Sequence, residues 1–467
     1  MATLCNTSVG LSRGTARIWL EGTKLERGGF LPGTSYNRSI QQDKIILTAV
    51  SDGGGDYVVS KRIKNELIKP IIDMKTKEID STFCNVGDEI RVFIRGGVII
   101  ISESLQSAAV AERIERILNK LDANHELRIS SCYHGAGILD RAVHDGFALA
   151  GIKTKLAVAI EIDPGYLDCS MRNNKEIWDD KTIAVESDVT KVDFINSAPV
   201  LSEGVVMGIP CTSASRAGRA KKGLTFAEED SKAGGLIFES LNFIVKSNPA
   251  FVLIENVPEY ASTASAAMLR SVLRSLKYTF SESVFAGSEF GVLENRKRWV
   301  FVAVSEGLND FVDFFNVDEL VGGLESKVGT LGDVMEEVPD DSPAWKAFDY
   351  LAKKEVRDIE AGKGFRRQLL GRAATSVGTV GRLYNKCRST EPFVQSESNP
   401  ALSRLLTVKE HAAIKGIPLA LVNNMPVGQQ HECLGQAIIY PQFVAVGEFL
   451  ANHLAMISSS RTIQKAA

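Results

Sequence analysis

The chain has 467 residues and a mass of 50.8 kDa, which is enough for about three ordinary domains. Hydrophobic residues make up 44% and charged residues 24% of it, a globular composition that excludes a disordered, collagen-like or fibrous protein. The net charge of −3 excludes a protein that coats nucleic acid by bulk charge. Any nucleic-acid contact therefore has to come from local basic patches.

Cysteine, histidine and apolar patterns narrow the class further. The seven Cys form no C-x-x-C pair, which predicts a reducing compartment rather than a disulfide scaffold. The six His lack metal-ligand spacing, and the longest apolar runs are strand-sized. The first residues show no basic region followed by an apolar segment. These features predict a soluble, cytoplasmic protein with no metal site and no membrane contact.

Residues 1–104 are predicted to form a β-rich accessory domain, because glycines and turn residues separate short apolar runs. Two stretches, residues 33–47 and 87–101, are weakly similar, and each is typical of two strands joined by a tight turn. Two such hairpins would pair into a small barrel, loosely similar to AbrB-type swapped-hairpin DNA-binding domains. A small accessory domain with another task fits equally well. A linker helix is predicted over residues 105–125.

Residues 126–305 alternate strand-like apolar runs with helical stretches, which predicts a doubly wound, Rossmann-like α/β sheet. Ligands of such sheets bind at the carboxyl ends of the strands. The next two stretches of the chain have opposite charge. Residues 306–341 carry eleven Asp and Glu and one basic residue, Lys327, whereas residues 362–404 carry eight Lys and Arg and only two Glu. We call residues 362–404 the basic segment and expect it to be irregular and loop-rich.

The first chemical motif is S-C-Y-H-G-A-G-I-L-D-R-A, residues 131–142, between a predicted strand and a helix. Gly135 and Gly137 permit a tight turn close to a ligand. The next strand ends at Glu161, where a carboxylate can accept both hydroxyls of a ribose, and Asp188 follows one strand later. Together they predict a cofactor that contains adenosine, and the lack of G-x-G-x-x-G disfavours NAD.

The second motif, residues 208–219, places Pro210 and Cys211 just after a strand. Nearby cations favour a thiolate, and the same cations can contact phosphates or simply be solvated. The cations are Arg216, Arg219, Lys221 and Lys222.

Two further motifs come at strand ends. Residues 251–260 form a buried strand that ends in Glu255, a position from which a carboxylate points into the ligand crevice. Residues 290–304 place Arg296 and Arg298 two apart, so both project to one face just before a strand.

These four motifs, in this order, resemble the cytosine-C5 DNA methyltransferase family. Residues 404–418 resemble the family's R-x-L-T-x-x-E segment, and residues 434–441 its closing segment. The resemblance covers residues 126–305 and 404–455. It departs from the family pattern at several supporting positions, where His134, Thr212, Glu294 and Gln436 replace more usual residues.

The resemblance implies the roles of individual residues. Cys211 would be the nucleophile, Glu255 the acid at cytosine N3, and Arg298, with Arg296 beside it, a contact to cytosine O2. S-adenosyl-L-methionine would be the cofactor. Its implied binding residues are Tyr133, Gly135, Ala136, Gly137, Glu161, Ile162, Asp188, Val189, Pro210, Gln436 and Ile438.

The resemblance also implies a partner and a division of the chain. Residues 126–305 would form the catalytic domain, 306–403 a target-recognition domain, and 404–467 a C-terminal segment that completes the catalytic domain. The partner would be double-stranded DNA, from which the target base is flipped out. Expected nucleic-acid contacts are the four cations after Cys211 together with Arg366, Arg367, Arg372, Arg382, Lys386, Arg388 and Arg404.

The predicted function is therefore DNA cytosine-5 methylation, in a bacterial, phage or plasmid restriction-modification or orphan system. Two alternatives remain open: an RNA (tRNA) cytosine-C5 methyltransferase, and an inactive DNA-binding regulator on the same scaffold. The accessory domain is expected to add DNA contacts or to mediate dimerisation, and the sequence does not decide the oligomeric state.

Overall fold

A computed structural model describes residues 1–41, 43–64, 66–75, 86–194, 196–197, 200–210, 223–231, 234–308, 316–320 and 329–466. The chain divides into two compact units, Met1–Glu112 and Arg113–Ala467.

The first unit consists of two antiparallel sheets. Its elements are β1 (Thr3–Ser8), β2 (Gly10–Ser12), β3 (Thr15–Glu21), α1 (Thr23–Arg27), β4 (Ser35–Ile40), β5 (Lys44–Val50), β6 (Tyr57–Val58), β7 (Ser60–Lys64), β8 (Leu67–Lys75), β9 (Glu89–Arg95) and β10 (Val98–Glu103). One sheet has the order β1-β9-β10-β5-β4-β6 and the other β2-β3-β8-β7. The two hairpins expected from the weakly similar stretches are β4–β5 and β9–β10, and they join through the antiparallel pair β10–β5. The likeness to AbrB-type domains stays a prediction.

Alternation of buried and exposed side chains builds the core of this unit. In β3, Ala16, Ile18 and Leu20 are buried while the residues between them are partly exposed. β9 shows the same period of two, as expected for strands with one face on a core. These residues join one apolar cluster with Leu25, Phe30 and Ile99.

The helix α2 (Leu105–Asp122) begins in the first unit and ends in the second. The second unit then continues through β11 (Leu127–Cys132), α3 (Ile138–Leu149), β12 (Thr154–Glu161), α4 (Pro164–Asn173), β13 (Ile183–Glu186), β14 (Gly204–Gly208), α5 (Leu236–Ser247), β15 (Phe251–Asn256), α6 (Ala264–Ser275), β16 (Tyr278–Ala286) and β17 (Lys297–Ser305).

These strands form one seven-stranded sheet of order β13-β12-β11-β14-β15-β17-β16. The first five are parallel, and β17 runs antiparallel to β15 and β16. The chain order reverses on the two sides of β11, so the ends of β11, β12 and β14 border a crevice of the kind that binds ligands in doubly wound folds. The predicted doubly wound, Rossmann-like α/β sheet is confirmed.

An irregular segment, residues 329–404, follows the sheet. It contains α7 (Asp349–Glu360) and a small sheet of β18 (Gln368–Leu370), β19 (Pro392–Gln395) and β20 (Ser403–Arg404). Its apolar core includes Leu331, Val377 and Tyr384 and is shared with Leu293 and Ile414 from the neighbouring parts of the chain. The segment is therefore anchored on the seven-stranded sheet unit rather than packed alone.

Three helices end the chain: α8 (Val408–Ala413), α9 (Val427–Gln436) and α10 (Tyr440–Ala466). α10 packs closely on α3. The two helices are so close that a Cβ added at Gly146 of α3 would lie 2.2 Å from the Val444 carbonyl oxygen of α10. The C-terminal helices thus complete the core of the sheet unit. In the described part of the chain, no single helix is long and apolar enough to cross a membrane. α9 with the Tyr440–Arg461 part of α10 would meet that criterion only as a pair bent by 49°.

His144 in α3 gives a test of this packing. It is buried, its Nδ1 lies 2.6 Å from Thr154 Oγ1, and burial lowers its pKa to about 4. Below pH 6.5 the unfolded chain binds a proton that the folded chain takes up only near pH 4, so falling pH favours unfolding. We expect the melting temperature to fall between pH 6.5 and 4, with this residue contributing up to about 3 kcal/mol.

The measurement is a thermal melt at each pH for wild type, His144→Gln and the control His125→Gln, which changes an exposed histidine. The His144 variant should show a shallower pH dependence, while the control keeps the wild-type slope. Equal slopes in all three proteins would contradict the assignment.

Candidate active site

The predicted functional side chains lie at one edge of the seven-stranded sheet. Cys132, the last residue of β11, stands in register with Ile160 of β12 and Met207 of β14, and Gly208 stands opposite Glu255 of β15. Because these strands are parallel, the loops that follow them leave the sheet side by side. Chemistry from four separate parts of the sequence is brought together there.

The loop after β11 is shaped by left-handed backbone at Tyr133, Gly135 and Gly137, with φ of 61°, 59° and 73°. The Glu161 carboxylate fixes this loop from the neighbouring strand. Its Oε2 accepts the Gly135 N–H at 2.6 Å, and its Oε1 accepts the N–H groups of Ile162 and Asp163, each at 2.9 Å. One carboxylate therefore holds two strand-end loops in fixed positions.

A buried polar network supports the loop from below. His134 Nδ1 lies 2.9 Å from Ser131 Oγ and 3.0 Å from Asp140 Oδ2, and His134 Nε2 lies 2.7 Å from Ser170 Oγ. Asn174 adds a hydrogen bond to the Ala136 carbonyl at 3.2 Å. Both ring nitrogens of His134 thus have polar partners, and the contact with Ser170 holds α4 to the loop.

The predicted cofactor-binding residues differ in their exposure and in their hydrogen bonds. Ile162 is 63% exposed, a large apolar side chain at the very end of β12. Asp188 caps a 3₁₀ turn by accepting the Thr190 N–H at 3.0 Å, and this hydrogen bond lowers the pKa of Asp188. Ala136, Val189 and Ile438 are buried, whereas Pro210 and Gln436 are exposed.

Tyr133 is held by α5, because its hydroxyl donates to the Leu236 carbonyl at 3.1 Å and contacts Ser240 Oγ at 3.0 Å. Burial raises the pKa of Tyr133 well above its usual range. The phenol is therefore a neutral structural group that fixes the ring beside the loop.

An ion pair marks the other side of the crevice. Arg298 Nε lies 2.5 Å from Glu255 Oε1, and both groups are largely buried. Asn256, the next residue, donates from Nδ2 to the Ile209 carbonyl at 3.1 Å and accepts the Val257 N–H at 2.9 Å. Asn256 thus holds the backbone at Ile209, two positions before Cys211 in the sequence. Cys211 itself lies outside the described residues, as do Arg216, Arg219, Lys221 and Lys222.

Arg296 has different partners from Arg298. Its guanidinium lies 3.5 Å from Glu294 Oε1 and donates to the Val380 carbonyl at 3.3 Å. Glu294 in turn contacts the buried ammonium of Lys415. The two arginines therefore connect β17 to two places: Arg298 to the strand-end carboxylate, and Arg296 to the irregular segment.

Comparison of the sequence with known proteins identifies one family. The sequence pattern described as C-5 cytosine-specific DNA methylase matches residues 133–452. The chain belongs to this family. The match makes it a DNA (cytosine-5-)-methyltransferase.

Curated relatives agree with this assignment, and solved structures share the fold. The type II methyltransferase M.SsoII of Shigella sonnei is 25% identical over 277 residues, which cover 58% of this chain and 68% of the relative. M.Eco47II of Escherichia coli is 26% identical over 366 residues, which cover 72% and 81%. Dnmt2 methyltransferase of S. pombe (TM-score 0.53, 20% identity, 68% of this chain and 96% of that one) and EhMeth of Entamoeba histolytica (TM-score 0.54, 16% identity, 70% and 98%) share the fold.

Six of the described basic residues that are predicted to contact DNA in this methyltransferase are exposed or partly exposed. Arg366, Arg382, Lys386 and Arg388 are exposed. Arg367 and Arg372 are partly exposed and lie 3.2 Å and 3.4 Å from carboxylate oxygens of Glu355 and Glu337.

The predicted DNA contact of Arg404 is wrong. Arg404 is 1% exposed, and its two terminal nitrogens donate to the Glu410 carboxylate at 2.6 and 2.7 Å. Its guanidinium is enclosed in a buried ion pair and cannot reach a phosphate. Its charge in a basic stretch suggested a surface role, but sequence position alone does not show burial.

Two residues with a place in the site were not predicted from the sequence. Asn256 follows Glu255 directly and holds the backbone at Ile209. Lys415 is fully buried against Glu294. The replacement of a usual glutamine by Glu294 is the signal that points to a buried cation nearby, since a buried carboxylate requires a partner.

Gly137 provides a test of the loop. A Cβ there would lie 2.4 Å from Ser170 Oγ and 2.9 Å from Asn174 Nδ2. Gly137→Ala should therefore displace the loop and weaken binding of S-adenosylmethionine by about tenfold or more. Isothermal titration calorimetry measures the affinity.

The matched control is Gly151→Ala, which places the same strain at φ 77° but has no atom within 4 Å of the added Cβ. The control should lose some stability and keep wild-type affinity. Wild-type affinity in Gly137→Ala would contradict the role given to the loop.

Proposed function

We propose that the protein transfers a methyl group from S-adenosyl-L-methionine to C5 of a cytosine flipped out of duplex DNA, through a covalent bond between Cys211 Sγ and cytosine C6. The observation that carries the proposal is the Glu255–Arg298 pair beside Gly208, three residues before Cys211. A carboxyl and a cation thus lie beside the end of β14, the strand that precedes the candidate nucleophile in the sequence. The family membership supports DNA as the substrate.

The residues at the ends of β11 and β12 fit the cofactor. Gly135 and Gly137 form a tight left-handed turn, the Glu161 carboxylate borders the turn, and exposed Ile162 offers an apolar face to a flat ring. Asp188 at the next strand end adds a second carboxylate. The cofactor would supply an electrophilic methyl group on a sulfonium sulfur.

The protein residues would supply the activation of the base. Cytosine C5 is too electron-poor to attack directly, and addition of the Cys211 thiolate to C6 converts C5 to an enamine carbon. Glu255 would donate a proton to N3, and Arg298 would stabilise the charge that develops at O2. After C5 carries the methyl group, a base would take the C5 proton, the proton on N3 would return to Glu255, and expulsion of the thiolate would restore the ring and the free cysteine.

The irregular segment is the part of the chain that we assign to target recognition. Its exposed cations, Arg366, Arg382, Lys386 and Arg388, would contact phosphates, which position the protein on the duplex without reading the sequence. The cations after Cys211 would approach the same backbone and help to hold a flipped base.

Replacing Cys211 tests the reaction. Cys211→Ala should abolish transfer of labelled methyl from S-adenosylmethionine to duplex DNA, a loss of about 10⁴-fold or more, because the thiolate that adds to C6 is removed. The control Cys387→Ala changes a cysteine of the irregular segment and should keep activity.

A transfer RNA substrate run in parallel separates the alternatives. Label in DNA that disappears in Cys211→Ala supports the proposal. Label in RNA alone would favour the RNA methyltransferase. A folded, cofactor-binding wild type that labels neither substrate would favour the inactive regulator.

Exposed cations of the irregular segment should carry salt-dependent DNA affinity. Replacing Lys386 and Arg388 together by Gln should reduce the slope of log affinity against log salt by about 0.9 for each phosphate that the variant no longer neutralises. Fluorescence anisotropy of a labelled duplex at several salt concentrations measures the slope. Lys153→Gln, at the opposite edge of the sheet, serves as the control, and an unchanged slope in the double variant would contradict the assignment.

A further inference from the structure

A second ion pair, fully buried and separate from the Glu255–Arg298 pair, joins three parts of the chain. Lys415 Nζ lies 2.9 Å from Glu294 Oε2 and 3.1 Å from Glu294 Oε1, and both side chains are 0% exposed. Glu294 precedes β17, and Lys415 follows α8. Burying two charges costs free energy that an apolar pair would not, so stability alone gives no reason for this pair.

The contacts of Glu294 extend into the irregular segment. Its Oε1 accepts the Val380 N–H at 3.2 Å, and Arg296 bridges from the same oxygen to the Val380 carbonyl. The backbone repeats the connection: Glu294 N–H donates to the Ile414 carbonyl, and Asn295 N–H donates to the Val377 carbonyl. The pair therefore ties residues 377–380 to the start of β17 on one side and to α8 on the other.

The same strand leads directly to the catalytic carboxyl. Arg298, whose guanidinium lies 2.5 Å from Glu255, follows Glu294 with three residues between them. A shift of residues 377–380 relative to Glu294 would thus be transmitted over a short, buried stretch of chain to Arg298. Small misplacements of catalytic groups are costly in rate, about 10²-fold for 1 Å.

The titratable groups around the pair include Arg296, His411 and Glu391. Burial and the Arg296 cation lower the pKa of Lys415 to about 7, and Glu294 opposes that shift. His411 is buried, its pKa lies well below its usual value, and it therefore adds no charge. Glu391, whose pKa burial raises, accepts the Gly381 N–H at 3.0 Å rather than contacting Lys415.

We infer that Glu294 and Lys415 are positioning residues, which set the irregular segment in register with β17 so that a base held by that segment meets Glu255 and Arg298 correctly. The inference rests on the proposed function. The pair is inferred to act through its hydrogen bonds and not through its charges. A neutral pair that keeps the hydrogen bonds should therefore retain kcat.

Two double variants separate the link from the charge. In Glu294→Gln/Lys415→Gln, the amides can still bond to each other and to the Val380 N–H. In Glu294→Leu/Lys415→Met, neither charge nor link remains. Both double variants remove the carboxylate beside Arg296, which keeps its hydrogen bond to the Val380 carbonyl, so the comparison between them isolates the link. We expect kcat for DNA methylation to stay within about threefold in the amide pair and to fall about tenfold or more in the apolar pair.

The kinetics are measured at saturating DNA and cofactor, per folded protein, with the affinity for S-adenosylmethionine and the melting temperature recorded alongside. A purely structural role would lower the melting temperature and leave kcat unchanged. An apolar pair with wild-type kcat, or an amide pair as impaired as the apolar one, overturns the inference. An inactive wild type would overturn the proposed function and the inference with it, which distinguishes the two failures.

Discussion

The carboxylate of Glu161 is the contact on which the cofactor side of this site depends. Its two oxygens accept three backbone N–H groups, from Gly135, Ile162 and Asp163. Charge-assisted bonds of this kind are short and strong, and here they join the ends of two parallel strands. The left-handed turn at Gly135 and Gly137 is thereby held in position, and the hydrogen bonds of His134 to Ser131 and Ser170 support it from the other side.

The Glu255–Arg298 side of the crevice is built on a different principle. Glu255 and Arg298 sit on strands that are paired in the sheet, so their mutual position follows from backbone register. Asn256, the residue after Glu255, extends this order to the end of the neighbouring strand, because its Nδ2 donates to the Ile209 carbonyl.

Buried ion pairs connect the irregular segment to this site. Arg404 with Glu410 and Lys415 with Glu294 stand at its base, and Glu410 also accepts the Glu336 N–H at 2.8 Å. Such pairs are directional, unlike apolar contacts, and a wrong register leaves a charge without a partner. The segment contains little regular secondary structure, so directional contacts of this sort are what orient its loops on the sheet.

The sequence by itself determined the fold class and the order of the chemical motifs. Apolar strands alternate with amphipathic helices, and the local rules for glycine turns and strand ends place Gly135, Glu161 and Glu255 at one edge, because parallel strands all end there. These inferences depend on neighbours along the chain, and local physics is enough for them.

Only the tertiary structure decided which charges face solvent and which are buried in pairs. Arg404 and Arg388 belong to the same basic stretch, yet Arg404 is enclosed against Glu410 while Arg388 is exposed. Lys415 meets Glu294 across 121 residues of sequence. Composition and spacing carry no record of such contacts, since the partner of a buried charge is selected by packing between distant segments, and the cost of leaving that charge unpaired appears only when the chain is folded.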